Sequence, residues 1–360
     1  MLKLRNSFKY NQPAGKSMVN NFFTPRDKLW SRRQLLRLGL VAGGVGGVGS
    51  IWHMFNGNSQ TMVRIPPIEK TEGKSKTINP SQILRNFDYG QIKQENGQTI
   101  REFQLTAGTS TIQLNSAVEY NIWDLNSRIP GPTLRAKQGD RVRILFLNKA
   151  GHSHSLHFHG IHPAEMDGVR PVTNGSATIY EFDAEPYGVH LYHCHIAPVT
   201  RHIAKGLYGM FIVDPPNPRP PADEMVLVMA GYDVNDDRKN EYYAFNGIPD
   251  YFTKHPIRIY QNQLIRLYVM NIIEFDPAVT FHIHANFFHV YRSGMTLAPS
   301  EKTDVITMGV AERHMLEFAF PYTGKYMFHP HQDVIAEHGC MGEFEVIADS
   351  TMNTVNNYNS

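Results

Sequence analysis

Cysteine is nearly absent: Cys194 and Cys340 are the only two in 360 residues, so at most one disulfide can form, and none is expected. A disulfide scaffold is thereby excluded. Charge is sparse, at 19%, and its positive excess is confined to one end. Residues 1–37 carry nine Lys or Arg and one acid, whereas the rest of the chain carries 26 bases against 32 acids, a net −6. A body of that sign does not suit nucleic acid as a partner. Long helical periodicity is missing too. Short runs rich in Val, Ile, Leu, Phe and Tyr alternate with Gly, Pro, Asn and Asp turns, which predicts an all-β sandwich class.

Histidine is what the chain has in excess, 18 in all, and eight of them fall into four HxH pairs: His157/His159, His193/His195, His282/His284 and His329/His331. Alternate residues of a strand share a face and rise about 3.3 Å each, so each pair would present two imidazoles roughly 6.6 Å apart. That spacing suits several metals better than one. Cys194 lies between His193 and His195, and His154 precedes His157 by an odd offset. Both should therefore turn to the opposite face, where His202 supplies a further imidazole. Cys with two His is the ligand set of a trigonal blue-copper centre.

The chain repeats itself. The segment Asn126 to Asn148 is echoed by Asn246 to Asn271, and His193 to Asp214 by His329 to Val346, which marks an internal duplication. Asp214 to Asp223, rich in proline, reads as a stiff connector. The expected divisions are a leader at 1–60, a polar segment at 61–100, domains at 101–214 and 222–349 around a linker at 215–221, and a disordered tail at 350–360. In the leader, SRRQLL (Ser31 to Leu36) precedes 18 uncharged residues, Leu38 to Phe55, six of them glycine. This resembles a twin-arginine export signal, which implies a periplasmic or extracellular protein, with an uncleaved membrane anchor as the alternative.

The four HxH pairs, the HCH at 193–195 and the duplicated segments resemble the two-domain multicopper oxidases, laccase-like relatives of copper nitrite reductase, from about residue 100 to 348. The resemblance implies two cupredoxin-like Greek-key β-sandwich domains in tandem, with four coppers per chain. Type 1 copper would sit on His154, Cys194 and His202, and type 2 copper on His157 and His282. The type 3 pair would sit on His159, His193, His195, His284, His329 and His331. Aligning the two copies puts Val279, Pro330, Ile335 and Cys340 at the type 1 positions of the second domain, so only the first should hold that metal. Leu207 falls at the axial position, with Met210 as a competitor.

The activity implied is one-electron oxidation of a phenolic or aromatic donor near His202, taken as an exposed ligand, coupled to four-electron reduction of dioxygen to water at a trinuclear cluster. Asp167 is implied as a proton relay, and a homotrimer would join the two histidine sets between subunits. The alternatives are oxidation of copper(I), iron(II) or manganese(II), and nitrite reduction. Relatives that reduce nitrite lack a histidine where His195 stands, and the methionines at 295, 308, 315, 327 and 341 are scattered. His152, His162 and His289 have no assigned role and are expected to pack or face solvent.

Overall fold

The computed structural model describes residues 62–64 and 78–348. The expected leader and tail lie outside them. Four sheets stack with three apolar layers between them. The first sheet orders the strands Val63–Arg64, Ser176–Asp183, Arg141–Asn148, Gln98–Gln113 and Gln91–Glu95, with Glu119–Leu125 also pairing to Gln98–Gln113. The second orders Phe87–Asp88, Thr133–Lys137, Tyr208–Asp214, Gly188–His193 and His157–Phe158. The third runs Tyr242–Phe245, Asp223–Tyr232, Ile265–Asn271, Arg313–Phe318, Phe288–Arg292, Glu301–Thr303. The fourth runs Ile257–Tyr260, Gly342–Ile347, Gly324–His329, Ala278–Ile283, Val305–Gly309.

The two-residue period explains the layers. Along Arg141–Asn148, Val142, Ile144 and Phe146 enter the first core, while Arg141 and Arg143 turn out to Glu181 at 3.1 and 3.0 Å. Strands of the middle two sheets are buried on both faces. In Asp223–Tyr232, Met225, Leu227 and Met229 point into the second domain's core, and Val226, Val228 and Tyr232 into the layer between domains. Ile265–Asn271 divides the same way, with Leu267 and Val269 on one side and Tyr268 and Met270 on the other. From the first domain, Val189, Leu191, Met210 and Ile212 complete that shared layer. An ion network seals its edge: Arg135 pairs with Asp214 (2.8 Å) and Glu224 (2.5 Å), and Arg266 with Glu224 (3.1 Å) and Glu317 (2.7 Å).

One expectation needs correcting. The segment before residue 101 is not merely a polar lead, because Val63–Arg64 and Phe87–Asp88 already pair into the first domain's sheets and a short helix, Pro80–Leu84, lies between them. Asn79 caps that helix, its side-chain oxygen accepting from Ser81 and Gln82 N–H, and Leu84 plugs the second domain's core. Arg85 forks onto Asp223 at 2.8 Å. The segment thus straps the two domains together through a few buried side chains that its polar composition hides.

Candidate metal centres

Cys194 follows the last residue of the Gly188–His193 strand, and its N–H donates to Leu207 O at 2.9 Å. Leu207 N–H in turn donates to His202 O at 3.2 Å, closing the turn after the helix Val199–Ala204 that carries His202. His154 comes in on an isolated bridge to Val172. The result is a convergence of three donors. Cys194 Sγ lies 3.1 Å from His202 Nδ1 and 3.7 Å from His154 Nδ1, and the two Nδ1 atoms are 3.1 Å apart. A point equidistant from the three lies about 1.9 Å from each, close to the roughly 2.0–2.3 Å at which imidazole and thiolate bind a first-row metal ion. The donor set therefore fits a blue-type copper ion. Leu207 shares the core of Cys194, whereas Met210 faces the layer between the domains.

Two details differ from the sequence-based expectation. The separation of the two faces does not come from strand alternation, since His157–Phe158 is a two-residue strand and Cys194 and His195 lie beyond a strand end. Local turns and backbone hydrogen bonds aim these side chains instead. Nor is His202 exposed: it is 5% accessible, and the edge of Trp123 lies over it at 4.7 Å between ring centroids.

The first histidine set gathers where His157 and His193 pair across adjacent strands. His159 Nε2 and His193 Nε2 are 2.9 Å apart, and the rings of His157 and His195 lie 4.9 Å apart. His157 Nδ1 sits 3.0 Å from Asp167 O, and His193 Nδ1 sits 2.8 Å from Cys194 O. A carbonyl only accepts, so Nδ1 carries the proton in both rings and Nε2 is left with the lone pair a metal needs. The Asp167 carboxylate lies 3.1 Å from His157 Nδ1 and 3.5 Å from His162 Nε2. His162, given no role on sequence, is thus part of this set; its offset of five from His157 carried no strand or helix signal. His152 and His289 are exposed.

The second set repeats the first. His282 pairs with His329, and His284 Nε2 lies 3.0 Å from His329 Nε2. The rings of His282 and His331 are 5.4 Å apart. His329 Nδ1 faces Pro330 O at 2.8 Å, and His282 Nδ1 faces Asp304 O at 2.7 Å. Asp304 thereby stands where Asp167 does in the first set, an equivalence invisible in sequence because it trails its histidine by 22 residues rather than ten. The blue-type site has no counterpart. Val279, Ile335 and Cys340 are packed in the second domain's apolar core, although Cys340 N–H still donates to Ile335 O at 3.2 Å, as Leu207 does to His202.

Burial and neighbouring imidazoles push His154 and His159 down to about 3 and His193 to about 4, and burial with His152 and Arg201 nearby takes His202 to about 4. All four are neutral at ordinary pH, the form that binds metal. Among the described residues, no hydrogen bond or ring contact joins one four-histidine set to the other.

Two family models, both described as multicopper oxidase, match residues 106–218 and 218–350. The chain belongs to the multicopper oxidase family. Its fold is the tandem pair of cupredoxin-like β-sandwiches expected of that family, and its activity class is a copper-dependent oxidoreductase. A crystal structure of a multicopper oxidase matches with a TM-score of 0.74 and 47% identity, covering 75% of this chain and 97% of that one. A copper nitrite reductase from Nitrosomonas europaea matches with a TM-score of 0.63 and 26% identity over 69% of this chain and 94% of its own. The copper-containing nitrite reductase of Neisseria gonorrhoeae is 25% identical over 259 residues, 66% of each protein. The chain spans about two thirds of that relative's length.

Proposed function

We propose that this multicopper oxidase is laccase-like: it takes single electrons from a phenolic or aromatic donor and spends four of them on reducing dioxygen to water. The observation that carries this reading is the matched pair of four-histidine half-sites, with Cys194 wired by its own backbone to His193 and His195. His154, Cys194 and His202 would hold type 1 copper. His157 and His282, alike in having an Asp carbonyl on Nδ1, would hold type 2 copper, and His159, His193, His195, His284, His329 and His331 the type 3 pair. When bound, the copper ions supply the electron storage and the binding of dioxygen that side chains lack.

The protein's part is positional. Backbone carbonyls fix the imidazole tautomers, and Leu207 closes the thiolate pocket with a side chain that cannot ligate, which favours a high potential. Asp167 Oδ1, within 3.5 Å of both His157 Nδ1 and His162 Nε2, would pass protons toward the cluster.

Completion of the cluster needs a second subunit. In the second set His284 and His331 are exposed, and so are Phe287 and Val334, each three residues after one of them, at 57% and 63% accessible; Val169, two residues after Asp167, is exposed as well. Surfaces of this kind bury against a partner. A homotrimer in which one chain's first set meets the next chain's second set satisfies both faces and closes on itself. Export by the twin-arginine route, to the periplasm or beyond, belongs to the same proposal.

Metal-ion oxidation has less support, since Met308 and Met315 lie buried in separate cores rather than with the exposed Met295. The test is dioxygen uptake by copper-loaded protein with a phenol, iron(II) and nitrite in parallel, together with copper content. Four coppers per chain and phenol-driven conversion of dioxygen to water are expected. Two coppers per chain with nitric oxide from nitrite would overturn the reading.

A further inference from the structure

Burial of His202 raises the question of where a donor meets the protein. Among the described residues, the ring contacts of His202 are His154 and Trp123. Trp123 alone leads outward. Its indole lies 4.7 Å from His202, 5.1 Å from His154 and 5.4 Å from His152, and it is half-buried against the first domain's core beside an exposed His152. No protein acceptor takes its indole N–H among the described residues, so that donor is free for a ligand.

Its placement is fixed from both sides. Trp123 sits in the strand Glu119–Leu125, paired to Thr109, and its backbone N–H donates to Lys205 O at 2.8 Å. Gly206, at φ +115°, passes so close that a Cβ there would lie 2.7 Å from Trp123 O. Only glycine allows the turn after the His202 helix to dock against this strand. The fold thus clamps the indole and His202 to each other.

We infer that Trp123 and His152 form the docking face for the aromatic donor, a site at which a planar electron-rich ring packs on the indole and a hydroxyl oxygen accepts its N–H. This rests on the oxidase reading above for the identity of the donor. In each turnover of this face the phenolic O–H bond would break, its electron passing to the copper(II) that His154, Cys194 and His202 would hold, its proton going to water and a phenoxyl radical leaving. Aromatic packing of this kind is worth about a two- to tenfold change in affinity.

The test begins with copper-free full-length protein and 2,6-dimethoxyphenol as the probe. Saturable quenching of tryptophan fluorescence is expected in the native chain and should vanish in Trp123→Leu, the other tryptophans, Trp30 and Trp52, being retained. In copper-loaded protein, His152→Ala and Trp123→Leu should raise the KM for the phenol about two- to tenfold with the blue absorption band intact. If Trp123→Leu loses the band, Trp123→Phe and His152→Ala carry the kinetic comparison. Quenching unchanged in Trp123→Leu, or KM unmoved in the variants that keep the band, would overturn the docking face. Quenching by the phenol in a native protein that oxidises no phenol would leave the docking face standing and overturn the oxidase reading instead.

Discussion

Replacing Leu207 by Met offers a thioether to the pocket formed by His154, Cys194 and His202 while disturbing little else. Leu207 is buried with Cys194, and its backbone is held at both ends, accepting from Cys194 N–H at 2.9 Å and donating to His202 O at 3.2 Å. The backbone at 207 is therefore held beside the site. Leu and Met have similar volumes, so the copper-free protein should lose less than about 1.5 kcal/mol of stability. A thioether favours the oxidised ion relative to a site without it, so the potential should fall. A drop of about 60 mV or more, tenfold in the one-electron equilibrium, is expected. Potentiometric titration of the blue band measures it, and Met210→Leu is the control, because Met210 faces the layer between the domains. An unchanged potential in Leu207→Met, or a fall in Met210→Leu, would refute the axial assignment.

Cys194→Ser should remove the blue band and donor oxidation but leave most cluster copper in place, since the histidine sets are oriented by separate carbonyls; metal analysis showing complete loss would contradict independent sites. Asp167→Asn keeps the shape beside His157 and removes the charge, and should slow dioxygen turnover about 10- to 100-fold at unchanged blue absorption. Steady-state oxygen uptake checks it, and full activity would end the relay role. Glu224→Ala strips a shared partner from Arg135 and Arg266, whose side chains are 9% and 4% accessible. The remaining Asp214 and Glu317 contacts soften the loss to on the order of 2–3 kcal/mol, read from denaturant unfolding; a neutral result would show that the domain seam does not depend on this network.

The sequence made the eight-histidine pattern, the duplication and the missing second blue-type site legible, because HxH pairs and aligned ligands are local signals. It misattributed their cause. His154 and Cys194 face their pocket through a bridge to Val172 and a hydrogen bond to Leu207, neither of which alternation along a strand describes. The burial of His202 was not legible either, since Trp123 is 79 residues away in sequence and is brought to it by the bond from its backbone N–H to Lys205 O. Asp304 escaped for the same reason: it matches Asp167 in space but not in offset. His162 lay in view without a period to mark it. The strap at Asn79–Arg85 looked polar because only Pro80, Ile83 and Leu84 of it are buried.

Whether two chains complete each cluster is read out by mixing subunits. One variant, His157→Ala with His159→Ala, loses the first half-site, and another, His282→Ala with His284→Ala, loses the second. Neither should reduce dioxygen alone. Co-expressed in equal amounts and assorting at random, every mixed trimer has one junction in three that brings an intact first set against an intact second set, about one in four over all trimers, so about a quarter of native activity and cluster copper should return. No recovery in verified mixed trimers would contradict the account.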